Sequence, residues 1–246
     1  MNHDNHENYL SASSKIDTLL ERYYLNFVYG SYNKKRIIFN DYIGEGDGNI
    51  LLFGDSHLIT FEHIFLNSKK FFSNLYSRRF HGLTLYAANP DKYPSRYSIL
   101  ADSLSKINVQ SIIISLGEVD CRNAIGIICK KNKITLKEYL LIAESNLISS
   151  IDFFQKLFKC NIYISTIPLP VYTDKSLWTK KSHNVELIKK CIIEINLKID
   201  KITTSKDGVN LLALNKYANS SDYVLLGDHH IAERPVKLAL NDWKLI

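Results

Sequence analysis

The chain has 246 residues, 46% hydrophobic and 23% charged, an ordinary globular balance with room for one large α/β domain or two small ones. Its formal net charge is +6, but the lysines lie scattered in doublets such as Lys69-Lys70, Lys130-Lys131, Lys180-Lys181 and Lys189-Lys190, which reads as solvated faces rather than a nucleic-acid surface. No apolar run approaches the ~20 residues that span a bilayer, Met1 to Ser14 lacks a signal-peptide pattern, and Cys121, Cys129, Cys160 and Cys191 include no C-x-x-C pair or zinc-finger spacing. The expectation is a cytoplasmic protein with reduced thiols, no metal, no cofactor, no nucleic-acid partner and no membrane span.

In chain order, residues 1–14 read as a disordered tail. Residues 15–48 read as an N-terminal helix and lead-in. Ile16, Leu19, Leu20, Tyr23 and Phe27 lie on one helical face, and Arg36 to Phe39 reads as a short strand. Gly44 to Gly48 is a turn. The α/β domain then spans 49–246. Its first stretch is Ile50-Leu51-Leu52-Phe53-Gly54-Asp55-Ser56-His57, four apolar residues that stop at a glycine. Leu58, Phe61, Ile64 and Phe65 follow at helical spacing, so the pattern predicts a buried strand, a tight turn and a helix over about 57–67.

Phe71 to Leu85 predicts a strand and then a loop around His81-Gly82. Helices are expected at about 95–107, 135–158 and 182–204. Strands are expected at 111–116, 161–166 and 209–213, followed by an irregular C-terminal segment. The stretch 168–182 reads as a long loop whose Tyr172 and Trp178 form either a lid or a packed surface. Apolar strands alternating with helices predict an α/β fold, a three-layer α/β/α sandwich on a mainly parallel, flavodoxin-like sheet of about five strands. In such folds the site lies outside the C-terminal ends of the strands.

Three loops at those ends hold candidate chemistry. Ser56 sits between a strand and a helix N-terminus, where unpaired N–H groups favour negative charge. It is a candidate nucleophile, or else Asp55 or Ser56 caps the helix. Gly117-Glu118-Val119-Asp120-Cys121-Arg122 follows the 111–116 strand and is either an ion-pair network holding a turn or a second wall of the cleft. Leu225-Leu226-Gly227-Asp228-His229-His230 offers a base, His230, and its orienter, Asp228. His57 points into the Ser56 turn, whereas His63 and His183 read as structural.

These blocks in this order resemble the SGNH (GDSL-like) hydrolase superfamily over about residues 49–235. Gly54-Asp55-Ser56 matches its first block. Gly82 falls at the second-block glycine, Gly117 to Asp120 at Gly-x-Asn-Asp, and Asp228 and His230 at Asp-x-x-His. The resemblance implies an acyl-ester hydrolase or O-acyltransferase in which Ser56, His230 and Asp228 are catalytic and the N–H groups of Ser56 and Gly82 form the oxyanion hole. Asp55, His57, Glu118, Asp120, Arg122 and His229 support the site. The wording Gly-Asp-Ser-His and Gly-Glu-Val-Asp-Cys-Arg also resembles a branch linked to bacterial surface-polysaccharide biosynthesis, and Gly-Asp-Ser-His is similar to domains linked to sugar O-acetylation, implying a carbohydrate or other acyl-ester substrate. Two departures stand out. Val119 replaces the oxyanion-hole Asn, with Arg122, Asn89 or Asn123 as substitutes, and Asp228 and His230 are separated by one residue instead of two. Both departures also suit a second possibility, a catalytically decayed scaffold that binds a carbohydrate or a partner.

Overall fold

Ile50, Leu51, Leu52 and Phe53 are all buried, with Leu51 and Phe53 entering one apolar layer and Ile50 and Leu52 another. A strand apolar on both faces needs helices on both sides, and the computed structural model has that arrangement. It describes residues 37–80, 82–121, 125–169, 185–218 and 233–246. The strands are β1 (Ile37–Ile43), β2 (Asn49–Gly54), β3 (Asn74–Phe80), β4 (Ser111–Ser115), β5 (Asn161–Ser165) and β6 (Val209–Leu212). The helices are α1 (Leu58–Leu66), α2 (Pro94–Leu104), α3 (Ile125–Asn132), α4 (Leu136–Phe158), α5 (Val185–Ser205), α6 (Leu214–Tyr217) and α7 (Glu233–Asp242).

The sheet order is β1-β3-β2-β4-β5-β6. β1 pairs antiparallel with β3, and the other pairings are parallel. The five parallel strands have the flavodoxin-like order expected from the sequence, with its reversal at β2, whose neighbours are β3 and β4. Buried residues of α2, α4 and α5 pack with Leu51, Phe53, Ile112, Ile114, Ile162 and Ile164 on one face. Buried residues of α1, α6 and α7 pack with Ile50, Leu52, Leu75, Ile113, Tyr163 and Leu212 on the other.

The sequence expectations need four adjustments. The strand expected at Arg36 to Phe39 runs Ile37–Ile43 and forms the antiparallel edge, so the lead-in contributes to the sheet and the described strands number six. The C-terminal segment is not all irregular, because it contains α6 and α7. α3 was not anticipated. The helix expected to reach residue 107 stops at Leu104. By contrast α4 runs as its signals dictate. Thr135 and Glu138 form a capping box, in which Thr135 Oγ1 accepts from Glu138 N (3.2 Å) and Glu138 Oε2 from Thr135 N (2.7 Å), and Lys159 ends the helix at φ 46°.

Residues 1–36, with the expected tail and first helix, lie outside the described residues, as does most of the 168–182 loop with Tyr172 and Trp178. All four cysteines are free thiols. Among the described residues no helix is long and apolar enough to cross a membrane, and no cluster of His, Cys, Asp or Glu could hold a metal ion.

Candidate active site

The sheet order reverses at β2, and in such folds the site lies outside the C-terminal ends of the strands at that point. Three loops start there, at Asp55 after β2, at Leu116 after β4 and, carrying Gly82, after β3. Gly54 is required by close approach, because a Cβ there would run into the carbonyl oxygen of Ser115 on β4. The next residue keeps the strands together, since Asp55 N–H donates to Ser115 O at 3.1 Å.

The Ser56 turn is shaped by Asp55. This carboxylate is wholly buried, and its Oδ1 accepts the backbone N–H of His57 at 2.9 Å and lies 3.0 Å from His57 Nδ1. Its Oδ2 is buried with no hydrogen-bond partner among the described residues. His57 occupies the N-cap position of α1, and no side chain caps that helix. The half-buried Ser56 therefore does not serve as a cap, and its Oγ makes no hydrogen bond among the described residues. Its N–H donates to no described residue either, whereas those of Leu58, Ile59 and Thr60 close the first turn of α1.

The second loop brings Gly82, exposed and at φ 73°, a conformation that favours glycine. Its N–H also donates to no described residue. The segment behind it is tied down heavily. Asp120 Oδ2 accepts from Leu85 N at 2.8 Å and Oδ1 from Tyr86 N at 3.4 Å. Asn146 of α4 donates to the carbonyls of Leu85 (3.1 Å) and Tyr86 (2.8 Å), and Ser150 to that of Ala88 (2.7 Å). Asn89, a candidate stand-in for the oxyanion-hole Asn, is consumed here. Its Nδ2 donates to Asn146 Oδ1 at 2.7 Å, and its Oδ1 accepts from the N–H groups of Asp91 and Lys92, both at 2.9 Å.

The third loop divides its carboxylates. Gly117 turns at φ 110° with no room for a side chain beside Ile167 and Leu85. Glu118 then faces the Ser56 turn, its Oε2 lying 3.6 Å from His57 Nε2. Asp120 instead enters the interior, where Tyr139 also donates its hydroxyl to it. Burial pushes the Asp120 carboxyl up to about 7, against the lowering effect of these hydrogen bonds and with a smaller push from Asp55. The Tyr139 hydroxyl is pushed up as well, chiefly by burial.

Ser56, Asp55, His57 and Glu118 are thus brought together, while Asp120 braces the Gly82 loop from behind. Arg122, Asn123, Asp228, His229 and His230 lie outside the described residues. Sequence reasoning passed over a buried group on the neighbouring strand. Arg79, in register with Gly54, places Nε 3.1 Å from Glu62 Oε1 of α1, and Ser77 donates to the same oxygen. The available signal was Arg78-Arg79 inside an aromatic-rich stretch that reads as a strand. His63, expected to be structural, pairs through Nδ1 with Glu233 of α7.

No family model matches the chain, and no curated protein matches it. Solved structures do. A protein assigned as a GDSL-like lipase from Parabacteroides merdae is 11% identical with a TM-score of 0.57, covering 82% of this chain and 98% of its own. The aryl esterase of M. smegmatis is 16% identical with a TM-score of 0.52, covering 81% and 100%. The carbohydrate acetylesterase Est24 from Sinorhizobium meliloti is 14% identical with a TM-score of 0.50, covering 81% and 100%. At these identities the likeness is one of fold, and the chain has the α/β/α fold of the SGNH (GDSL-like) hydrolases.

Proposed function

We propose that the protein is a serine acyl hydrolase or O-acyltransferase acting on acyl esters, O-acetyl groups of a carbohydrate foremost, in surface-polysaccharide biosynthesis. One observation carries the reading: the Ser56 hydroxyl stands at the reversal point of the sheet, unused as a cap, with the N–H groups of Ser56 and Gly82 uncommitted among the described residues. Ser56 Oγ attacks the ester carbonyl while His230 takes its proton, oriented by Asp228. The two N–H groups hold the oxyanion. Collapse expels the alkoxide, which recovers the proton from His230, and leaves an acyl group on Ser56. Water then releases a carboxylic acid, or a sugar hydroxyl takes the acyl group as a new ester.

The resemblance of the fold to that of a carbohydrate acetylesterase supports an O-acetyl substrate. The test is turnover of p-nitrophenyl acetate with intact-mass detection of a fluorophosphonate adduct. Wild type turns over and is labelled, and Ser56→Ala does neither. Equal rates in the two proteins overturn the reading.

The second reading, a decayed scaffold that binds a carbohydrate or a partner, draws on Val119 and on the commitment of Asn89 to its own loop. Glycan binding by a wild-type protein that neither turns over ester nor labels at Ser56 would support it.

A further inference from the structure

We propose that His57 is a positioning residue of this site, a strut that fixes Glu118 and the Gly117 turn against the Ser56 turn. The proposal rests on the serine-hydrolase reading above. One oxygen of Asp55 takes both the His57 backbone N–H, at 2.9 Å, and Nδ1, at 3.0 Å. That carboxylate is itself wholly buried, on a residue whose N–H is bonded to β4. The ring therefore has a fixed plane, and with Nδ1 committed to Asp55 its Nε2 faces Glu118 Oε2 at 3.6 Å. The two side chains are only 11% and 12% exposed, so the contact is largely shielded from water.

The contact spans the reversal point of the sheet. It joins the residue after the nucleophile, at the end of β2, to the residue after Gly117, beyond the end of β4. Glu118 is also the residue before Val119, where the resemblance places the oxyanion-hole Asn. An apolar side chain at that position can form no hydrogen bond to hold the turn. The contact from His57 reaches the residue before it instead, from the nucleophile side. A strut here acts through the loops it spaces, and misplacing such loops by about 1 Å costs on the order of 100-fold in rate.

The test compares His57→Asn, Glu118→Gln and the double variant. Asn keeps a short donor beside Asp55 but lacks the reach to Glu118. Each single change lowers kcat on p-nitrophenyl acetate at least tenfold, with KM within twofold of wild type, and the double variant is no slower than the slower single. In His57→Asn, the amides of 116–121 also exchange with deuterium several-fold faster. Multiplying effects on kcat, wild-type kcat in either single variant, or unchanged exchange over 116–121 overturns the proposal. Should His57→Asn not fold, Glu118→Gln provides both readouts. A wild-type protein without turnover and without a Ser56 adduct defeats the hydrolase reading instead, and the exchange data then decide the strut on their own.

Discussion

His63 of α1 and Glu233 of α7 form a hydrogen-bonded ion pair that joins the helix following Ser56 to the helix following the Asp228–His230 segment. Its hydrogen bond, reinforced by Lys237 at 2.5 Å, pulls the Glu233 carboxyl down to about 2. A depressed carboxylate stabilises the fold above its unfolded pKa, about 4.3, and loses that contribution as pH falls toward its folded value. Glu233→Gln is expected to cost on the order of 1 kcal/mol at pH 6, since the pair is partly exposed. Thermal melts at pH 6 and pH 3 check this, with the gap between the two proteins narrowing at pH 3.

Asp120 has the opposite dependence. Its folded value near 7 lies above the ordinary carboxylate value. Its contribution is intact below about pH 4 and is lost as pH rises through 7, at up to ~1.4 kcal/mol per pH unit. Asp120→Asn removes this slope. Denaturant titrations at pH 4, 5.5 and 7 test it, and parallel curves for the two proteins would count against a raised carboxyl.

The buried Arg79–Glu62 pair predicts a large penalty for Glu62→Ala, about 3–5 kcal/mol, because it strips a charge partner from a guanidinium that is 3% exposed. Urea unfolding measures it. A cost below about 1 kcal/mol would mean that the charge is stabilised from elsewhere.

Two glycines at the site predict different costs. At Gly82 a Cβ meets nothing within 4 Å, so only the positive φ is penalised and Gly82→Ala costs about 1–2 kcal/mol. At Gly54 a Cβ collides with a backbone carbonyl in the middle of the sheet. Gly54→Ala therefore costs more than about 3 kcal/mol or prevents folding. Yields of soluble protein and urea midpoints rank the two.

Strands β2, β4 and β5 were legible because burial on both faces demands unbroken apolar runs, and α4 because Thr135 and Glu138 announce its start. β1 read too short, since Asn40 and Asp41 interrupt its pattern and the buried Arg78 that bonds Asp41 comes from another strand. α7 went unread although Val236, Ala239 and Leu240 share a face and Pro235 suits a first turn. At the site, the glycine-marked loop starts after β2 and β4 could be read from sequence. The division of labour between Glu118 and Asp120 could not, because it depends on which way a turn faces after Gly117. The burial of Arg79 and Glu62 was equally invisible, since the two pair across two elements.

The missing side chain at Gly54 has a mechanical consequence. Strands β2 and β4 approach so closely there, and Asp55 bonds so directly to Ser115, that the two strand ends are fixed against each other. Adaptation to a new substrate cannot come from sliding these two walls apart. It has to come from segments anchored by side chains alone, such as the run from Leu85 to Lys92, where exchanging Asn89 or Asn146 would reshape the rim of the site and leave the geometry around Ser56 in place.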